Sequence, residues 1–206
     1  MTVSETVRNK TDVDHALRSC SVPPAQIATT TGVLLVGIYF VVAFPSVLTA
    51  PADITVLAIS LVVGAQLIWL SAIDLATKRL PDRLTYGVCA IGLLLAAFEG
   101  SEAVAWSALA GLAGYALFAG LAAAFLQMRS YAGLGLGDAK LLAAGGTLVG
   151  LEGLGSVVLI GSMSALVFAC VKFSRHRQAV WTARIPFGPF LAIGIWCVWH
   201  HGPLLL

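Results

Sequence analysis

Charge is scarce in this chain of 206 residues: only 11% of the residues are Asp, Glu, Lys or Arg, whereas 59% are hydrophobic. Soluble globular domains contain about 25% charged residues. Together with a mean hydropathy of +0.93, this shortage excludes a water-soluble enzyme, and the apolar content excludes a disordered chain. The class that remains is a polytopic protein of the cell (inner or plasma) membrane, surrounded by the lipid bilayer.

Other features are absent as well, and each absence excludes a class of site or partner. The net charge of +2 is too small to indicate a nucleic-acid partner. The four cysteines show neither a CxxC motif nor paired spacing, so neither a disulfide framework nor a zinc site is indicated. No GxSxG, HExxH, Walker A or dinucleotide-binding fingerprint is present. We therefore expect no metal ion and no cofactor.

Long hydrophobic runs predict an all-α fold, a polytopic transmembrane helical bundle of about seven spans, with six as the alternative. Each span needs roughly 20 mostly apolar residues. Residues 1–28 are polar and predict a cytosolic tail, and residues 29–206 predict the transmembrane domain. The predicted spans cover residues 29–49, 54–73, 84–98, 103–127, 139–151, 154–173 and 186–203.

The distribution of charge predicts the orientation of these spans. With the N-terminus in the cytoplasm, all 12 Lys and Arg residues fall in inside segments, as the positive-inside rule requires. The outside loops then hold only acidic residues, which are Asp53, Glu99, Glu102 and Glu152. Six spans made by fusing the last hairpin would move the final basic cluster outside, so the charges favour seven.

Two aspartates are not explained by loops or topology. Asp74 lies at the predicted cytoplasmic end of the second span, and Asp138 lies at the start of the fifth. Taken alone, Asp74 is interpreted as an interfacial charge and Asp138 as a helix N-cap. At matched depth they favour a functional pair, because ionisable groups in a membrane are costly and usually functional. Two carboxyls that share a site hold one proton between them, as in aspartic proteases.

The residues beside Asp138 add to this interpretation. Gly135 and Gly137 precede it, and glycine permits a close approach by the backbone of a substrate. Lys140 is interpreted either as a lysine that reaches the membrane interface or as a charge that biases the field near Asp138.

Four other segments have structural interpretations. Pro81 and Asp82 predict a turn and an N-cap that open the third span. The prolines of residues 185–190 loosen the backbone where the last span begins. The glycine-rich residues 110–114 and 145–150 predict faces where helices approach closely.

Together these segments resemble the type IV prepilin leader peptidases. The resemblance covers about residues 54–195 and depends on three motifs. They are Asp74 with Leu80-Pro81-Asp82-Arg83-Leu84-Thr85, then Gly135-Leu136-Gly137-Asp138-Ala139-Lys140, then Pro186-Phe187-Gly188-Pro189.

The resemblance implies a GxGD-type intramembrane aspartyl endopeptidase with Asp74 and Asp138 as the catalytic pair. It also implies prepilin or pseudopilin substrates of a type IV pilus or secretion system, cleaved between leader and helix at the cytoplasmic face. The short chain without paired cysteines predicts cleavage only, with no methyltransferase domain, as in members that serve tight-adherence pili. The motif residues that support the site are Pro81, Asp82, Gly135, Gly137, Lys140, Pro186, Gly188 and Pro189.

Two other functions compete with the peptidase. A proton-coupled transporter also uses intramembrane aspartates, but no inverted repeat is evident. A non-catalytic scaffold of a pilus or secretion complex would need neither aspartate. The residues leave open the oligomeric state and which pilin is the substrate.

Overall fold

The computed structural model describes residues 54–78, 80–129, 135–175 and 186–204. The predicted cytosolic tail and first span lie outside the described residues. The described residues form five α-helices and no β-strand, which confirms the all-α prediction for this part of the chain. The helices are α1 (Ile54–Thr77), α2 (Asp82–Glu99), α3 (Ser101–Arg129), α4 (Leu136–Arg175) and α5 (Gly188–His201).

The turn between α1 and α2 is fixed by local backbone geometry. Lys78 has a φ of 53°, and its N–H donates to the carbonyl of Asp74 at 2.8 Å. This left-handed residue ends the helix in the usual way. The N-cap of α2 is Pro81, with no side-chain cap, so the prediction of Asp82 as the N-cap was wrong. Asp82 is instead the first helical residue, where a negative charge suits the helix dipole.

The chain reverses direction inside α4, at Gly150. This glycine has φ 74° and ψ 178°, which is not a helical conformation. A Cβ at Gly114 of α3 would lie 2.8 Å from the carbonyl oxygen of Leu142 and 3.2 Å from Cδ2 of Leu154. In a continuous helix those two residues would be about 18 Å apart along the axis. α4 is therefore a hairpin with a first limb (136–149) and a second limb (151–175), close to the predicted boundary between the fifth and sixth spans.

The α4 hairpin lies at the centre of the bundle and packs against α2, α3 and α5. α1 packs on α5 and α2, and within the described residues it does not pack against α4. The core is formed by fully buried aliphatic side chains, among them Leu67, Leu70, Leu142, Leu191 and Ile195.

Glycines let these helices approach closely, as the sequence predicts. A Cβ at Gly146 would lie 2.6 Å from the carbonyl oxygen of Ala110, and one at Gly145 would lie 2.6 Å from Cδ1 of Ile195. These distances are well below van der Waals contact, so a side chain at either position would clash. The predicted packing role of both glycine-rich segments is therefore confirmed.

Among the described residues, three stretches assigned as helix are long and apolar enough to cross a membrane: Ile54–Thr77, Ser101–Gln127 and Leu136–Cys170, the last of which contains the bend at Gly150. The seven predicted spans and the cytoplasmic N-terminus are therefore not confirmed. The helices do begin and end within a few residues of the predicted boundaries. Large apolar side chains point outward along them, such as Trp69, Leu94, Leu112 and Leu166, as expected for helices that face lipid.

Candidate active site

Asp74 is a buried carboxyl group near the C-terminal end of α1, with 4% of its surface exposed. The backbone N–H of Gly188 donates a hydrogen bond to its Oδ2 at 3.1 Å. Gly188 is the first residue of α5, so its N–H has no acceptor within that helix. The sequence motif at the start of α5 thus supplies a donor to the aspartate of α1.

Only glycine fits at position 188 without moving this carboxyl. A Cβ there would lie 2.6 Å from Oδ2 of Asp74 and 3.1 Å from its Cγ. The flanking prolines suit a helix start: Pro186 precedes the helix, and Pro189 occupies its first turn, where a missing N–H costs nothing. The N-cap residue Phe187 accepts backbone hydrogen bonds at 3.1 Å from the next turn.

Asp138 is the second buried carboxyl group, with 8% of its surface exposed. α4 begins at Leu136, so Asp138 is its third residue and not its N-cap. The Asp138 N–H donates to the carbonyl of Gly135 at 3.1 Å. A Cβ at Gly135 would lie 3.5 Å from Oδ2 of Asp138, so the glycine backbone passes directly beside the carboxyl.

The loop between α1 and α2 lies against the start of α4. A Cβ at Gly137 would lie 3.2 Å from Cδ1 of Leu80 and 3.4 Å from its Cβ. Gly137 therefore makes room for Leu80. Among the described residues, a Cβ at the exposed Gly135 would have only Asp138 and Gly137 atoms within 4 Å. The two glycines of the motif face different surroundings.

The structure places Asp74 and Asp138 at the same end of the bundle, because Leu80, six residues after Asp74, packs against Gly137, which immediately precedes Asp138. Such a pair of carboxyls can supply both a general base and a general acid to one reaction. Because α1 and α4 do not pack against each other in the described part, the pair is held by groups on other elements.

One such group is an ion pair that the sequence interpretation missed. The Lys140 Nζ donates to Oδ1 of Asp82 at 2.6 Å, joining residues that are 58 positions apart. Lys140 was considered alone, as an interfacial charge or a field near Asp138. The sequence does contain a signal for this pair, since the first motif carries the negatively charged Asp82 and the second carries the positively charged Lys140.

The end of the bundle opposite the aspartates contains a cavity. A cavity of about 650 Å³ lies there between α2, α3, the α4 bend and α5. Its lining includes Glu99, Trp106, Ser107, Glu152 and Trp199. Two polar groups of the lining bond within the bundle: Ser107 donates to the Thr147 carbonyl at 2.8 Å, and the Trp199 indole donates to Oγ of Ser60 at 3.4 Å. This cavity is remote from the aspartates.

Comparison with known proteins agrees with the motifs. Residues 61–170 match the type IV leader peptidase family. A protein named prepilin leader peptidase/N-methyltransferase from Xanthomonas campestris pv. campestris is 37% identical over 145 residues, covering 69% of this chain and 50% of that protein.

Proteins with the same name from two other bacteria are also similar. The one from Burkholderia pseudomallei is 36% identical over 63% of this chain and 42% of its own length. The one from Escherichia coli K12 is 35% identical over 61% and 55%. The chain thus spans about half the length of the curated relatives it matches. No solved structure matches the chain.

Proposed function

The chain belongs to the type IV leader peptidase family, and we propose that it is a membrane-embedded aspartyl endopeptidase. In this proposal it removes the leader peptide of prepilin or pseudopilin-like proteins at the cytoplasmic face of the inner membrane. The observation that carries the proposal is that two buried carboxyls, Asp74 and Asp138, lie on separate helices at the same end of the bundle. Leu80, in the loop after the Asp74 helix, packs against Gly137, which immediately precedes Asp138.

The chemistry follows from a pair of carboxyls that holds one proton. The ionised carboxylate takes a proton from water as the water oxygen attacks the carbonyl carbon of the scissile peptide bond. The protonated partner donates its proton to the carbonyl oxygen. As the tetrahedral intermediate collapses and the C–N bond breaks, the first carboxyl gives its proton to the leaving amine and one hydroxyl of the intermediate returns a proton to the second carboxylate, so the pair again holds one proton. Asp74 and Asp138 are the proposed catalytic residues.

The surroundings of the two motif glycines suggest where the substrate lies. Leu80 occupies the space beside Gly137, whereas Gly135 is exposed and its backbone passes beside Asp138. We place the extended substrate segment against Gly135, where Asp138 contributes the only side-chain atom of the described residues within 4 Å of a Cβ.

The charges of the described residues support cytoplasmic cleavage. Lys78, Arg83 and Lys140 lie at the end of the bundle that holds the aspartates, and Glu99 and Glu152 lie at the other end. Loops rich in Lys and Arg stay in the cytoplasm, so the aspartate end would face inward.

The peptidase is favoured over the transporter and scaffold alternatives. Proton-coupled carriers place their ionisable residues near the middle of the membrane, whereas Asp74 and Asp138 lie at helix ends. A scaffold gives no reason for two buried carboxyls to share a site. The proposal covers cleavage alone, and the absence of methylation stays a prediction.

Co-expression of the whole chain with prepilin-like proteins of the same organism tests the proposal. The size of each substrate is measured with the wild type, Asp74→Asn and Asp138→Asn, and membrane levels of all three proteins are compared. We expect cleavage by the wild type only, at equal protein levels. Retained cleavage in both variants, or pilus assembly that needs neither aspartate, would contradict the peptidase.

A further inference from the structure

Asp74 and Asp138 are buried at the same end of the bundle, although the helices that carry them do not pack together in the described part of the chain. Their separation is set by contacts on either side of the pair. On one side, Gly188 holds Asp74 through its N–H. On the other side, the α1–α2 loop and the start of α2 hold the start of α4.

The second connection consists of two adjacent contacts. Leu80 fills the space at Gly137, and Asp82 pairs with Lys140 at 2.6 Å. Gly137 immediately precedes Asp138, and Lys140 follows it by two residues, so the contacts flank the aspartate. The same loop begins four residues after Asp74, so it ties one aspartate to the other.

We propose that Lys140 and Asp82 form a positioning pair that sets the distance between the two aspartates. Its catalytic consequence rests on the proposed function, but the positioning itself does not. Lys140 is neither base nor acid in this scheme: it acts through Asp82, which fixes the start of α2 against the start of α4.

The exposure of the pair makes the proposal testable without unfolding the protein. The side chains of Lys140 and Asp82 are 34% and 53% exposed, and exposed ion pairs contribute little to global stability. Their removal should leave the protein in the membrane at normal levels. A misplacement of catalytic groups by about 1 Å is enough to slow a reaction about a hundredfold.

The first measurement reports how close positions 74 and 138 lie to each other, and it does not require an active enzyme. Cysteines are placed at positions 74 and 138 in a variant whose four native cysteines are Ala, and a short bifunctional thiol reagent reports their proximity. We expect Lys140→Met or Asp82→Asn to lower the cross-linked fraction severalfold. The exchange of both charges, Asp82→Lys with Lys140→Asp, should restore much of it. Unchanged cross-linking in the single variants would overturn the proposal.

A matched control distinguishes the loss of the Lys140–Asp82 ion pair from the loss of any positive charge in this region. Arg83 is exposed, adjoins Asp82, and forms no ion pair with any residue that the structure describes. Arg83→Met should leave both the cross-linked fraction and cleavage unchanged. An equal effect of Arg83→Met and Lys140→Met would also contradict a specific pair.

A second measurement uses cleavage by the chain with its native aspartates. Lys140→Met should lower kcat by about 10- to 100-fold with little change in KM, and Lys140→Arg should retain most activity. An Asp82→Asn variant that raises KM alone, and is not rescued by charge exchange, would instead assign Asp82 to substrate binding. If cross-linking responds but the wild type cleaves no prepilin, the peptidase proposal fails and the positioning pair stands.

Discussion

The N–H of Gly188 donates to Oδ2 of Asp74 at 3.1 Å, across 114 residues of sequence. This bond joins the start of α5 to the end of α1, and it orients a carboxyl that is buried from solvent. A buried carboxyl oxygen without a partner is costly, so Asp74 is stable here because the first turn of α5 offers a free N–H. The third motif of the sequence therefore belongs to the same site as the first.

Replacing Gly188 with Ala should disable this site. The added Cβ would lie 2.6 Å from Oδ2 of Asp74, so either the carboxyl or the start of α5 must shift. We expect cleavage of a prepilin-like substrate to fall by about a hundredfold. The measurement is the initial cleavage rate at equal membrane protein level.

Gly120→Ala is the matched control for that substitution. Gly120 is exposed on α3, and no atom of the described residues outside its own helical turn lies within 4 Å of a Cβ there. We expect unchanged cleavage and a stability gain of up to about 1 kcal/mol, because Ala favours the helix over Gly. Equal losses in both variants would show that the Gly188 effect is not specific to Asp74.

The contact between Leu80 and Gly137 should behave as a coupled pair. Gly137→Ala places a Cβ 3.2 Å from Cδ1 of Leu80, so the loop is pushed away and cleavage should slow by about tenfold. Leu80→Ala in the same chain removes the obstructing atom and should recover part of the rate. A double-mutant cycle of cleavage rates measures this coupling, and strictly additive losses would contradict it.

The reversal at Gly150 should matter for stability rather than for chemistry. With φ 74° and ψ 178°, the position is nearly restricted to glycine, and a side chain there costs about 1–3 kcal/mol. Gly150→Ala should therefore lower the thermal unfolding midpoint in detergent. Cleavage below that temperature should be preserved, because the bend lies at the end remote from Asp74 and Asp138. Loss of cleavage without loss of stability would contradict this separation.

The proposed orientation can be tested by thiol labelling. Single cysteines at Arg83 and Glu102, both exposed and at opposite ends of the bundle, are introduced into a chain without native cysteines. A membrane-impermeant thiol reagent applied to cells with a permeable outer membrane should label position 102 and not position 83. Inverted inner-membrane vesicles should give the opposite pattern. Labelling of position 83 from outside would contradict cytoplasmic cleavage.

The all-α class, the approximate limits of the helices, the glycine packing faces and the family motifs could all be predicted from the amino-acid sequence. These features depend on hydrophobicity, charge and small residues within single segments, so neighbouring residues are enough to predict them. The predicted seven spans are not confirmed: among the residues that the structure describes, three helices meet the length and hydropathy of a span.

The contacts between the motifs could not be predicted in this way, because they depend on how the helices pack. The pairing of Lys140 with Asp82 and the donation from Gly188 to Asp74 join residues 58 and 114 positions apart. Such contacts depend on how helices cross, which no local pattern encodes. The same holds for the absence of packing between α1 and α4 in the described residues. The two aspartates could be predicted from the sequence, whereas their placement at the same end of the bundle depends on the packing of α2 and α5 around them.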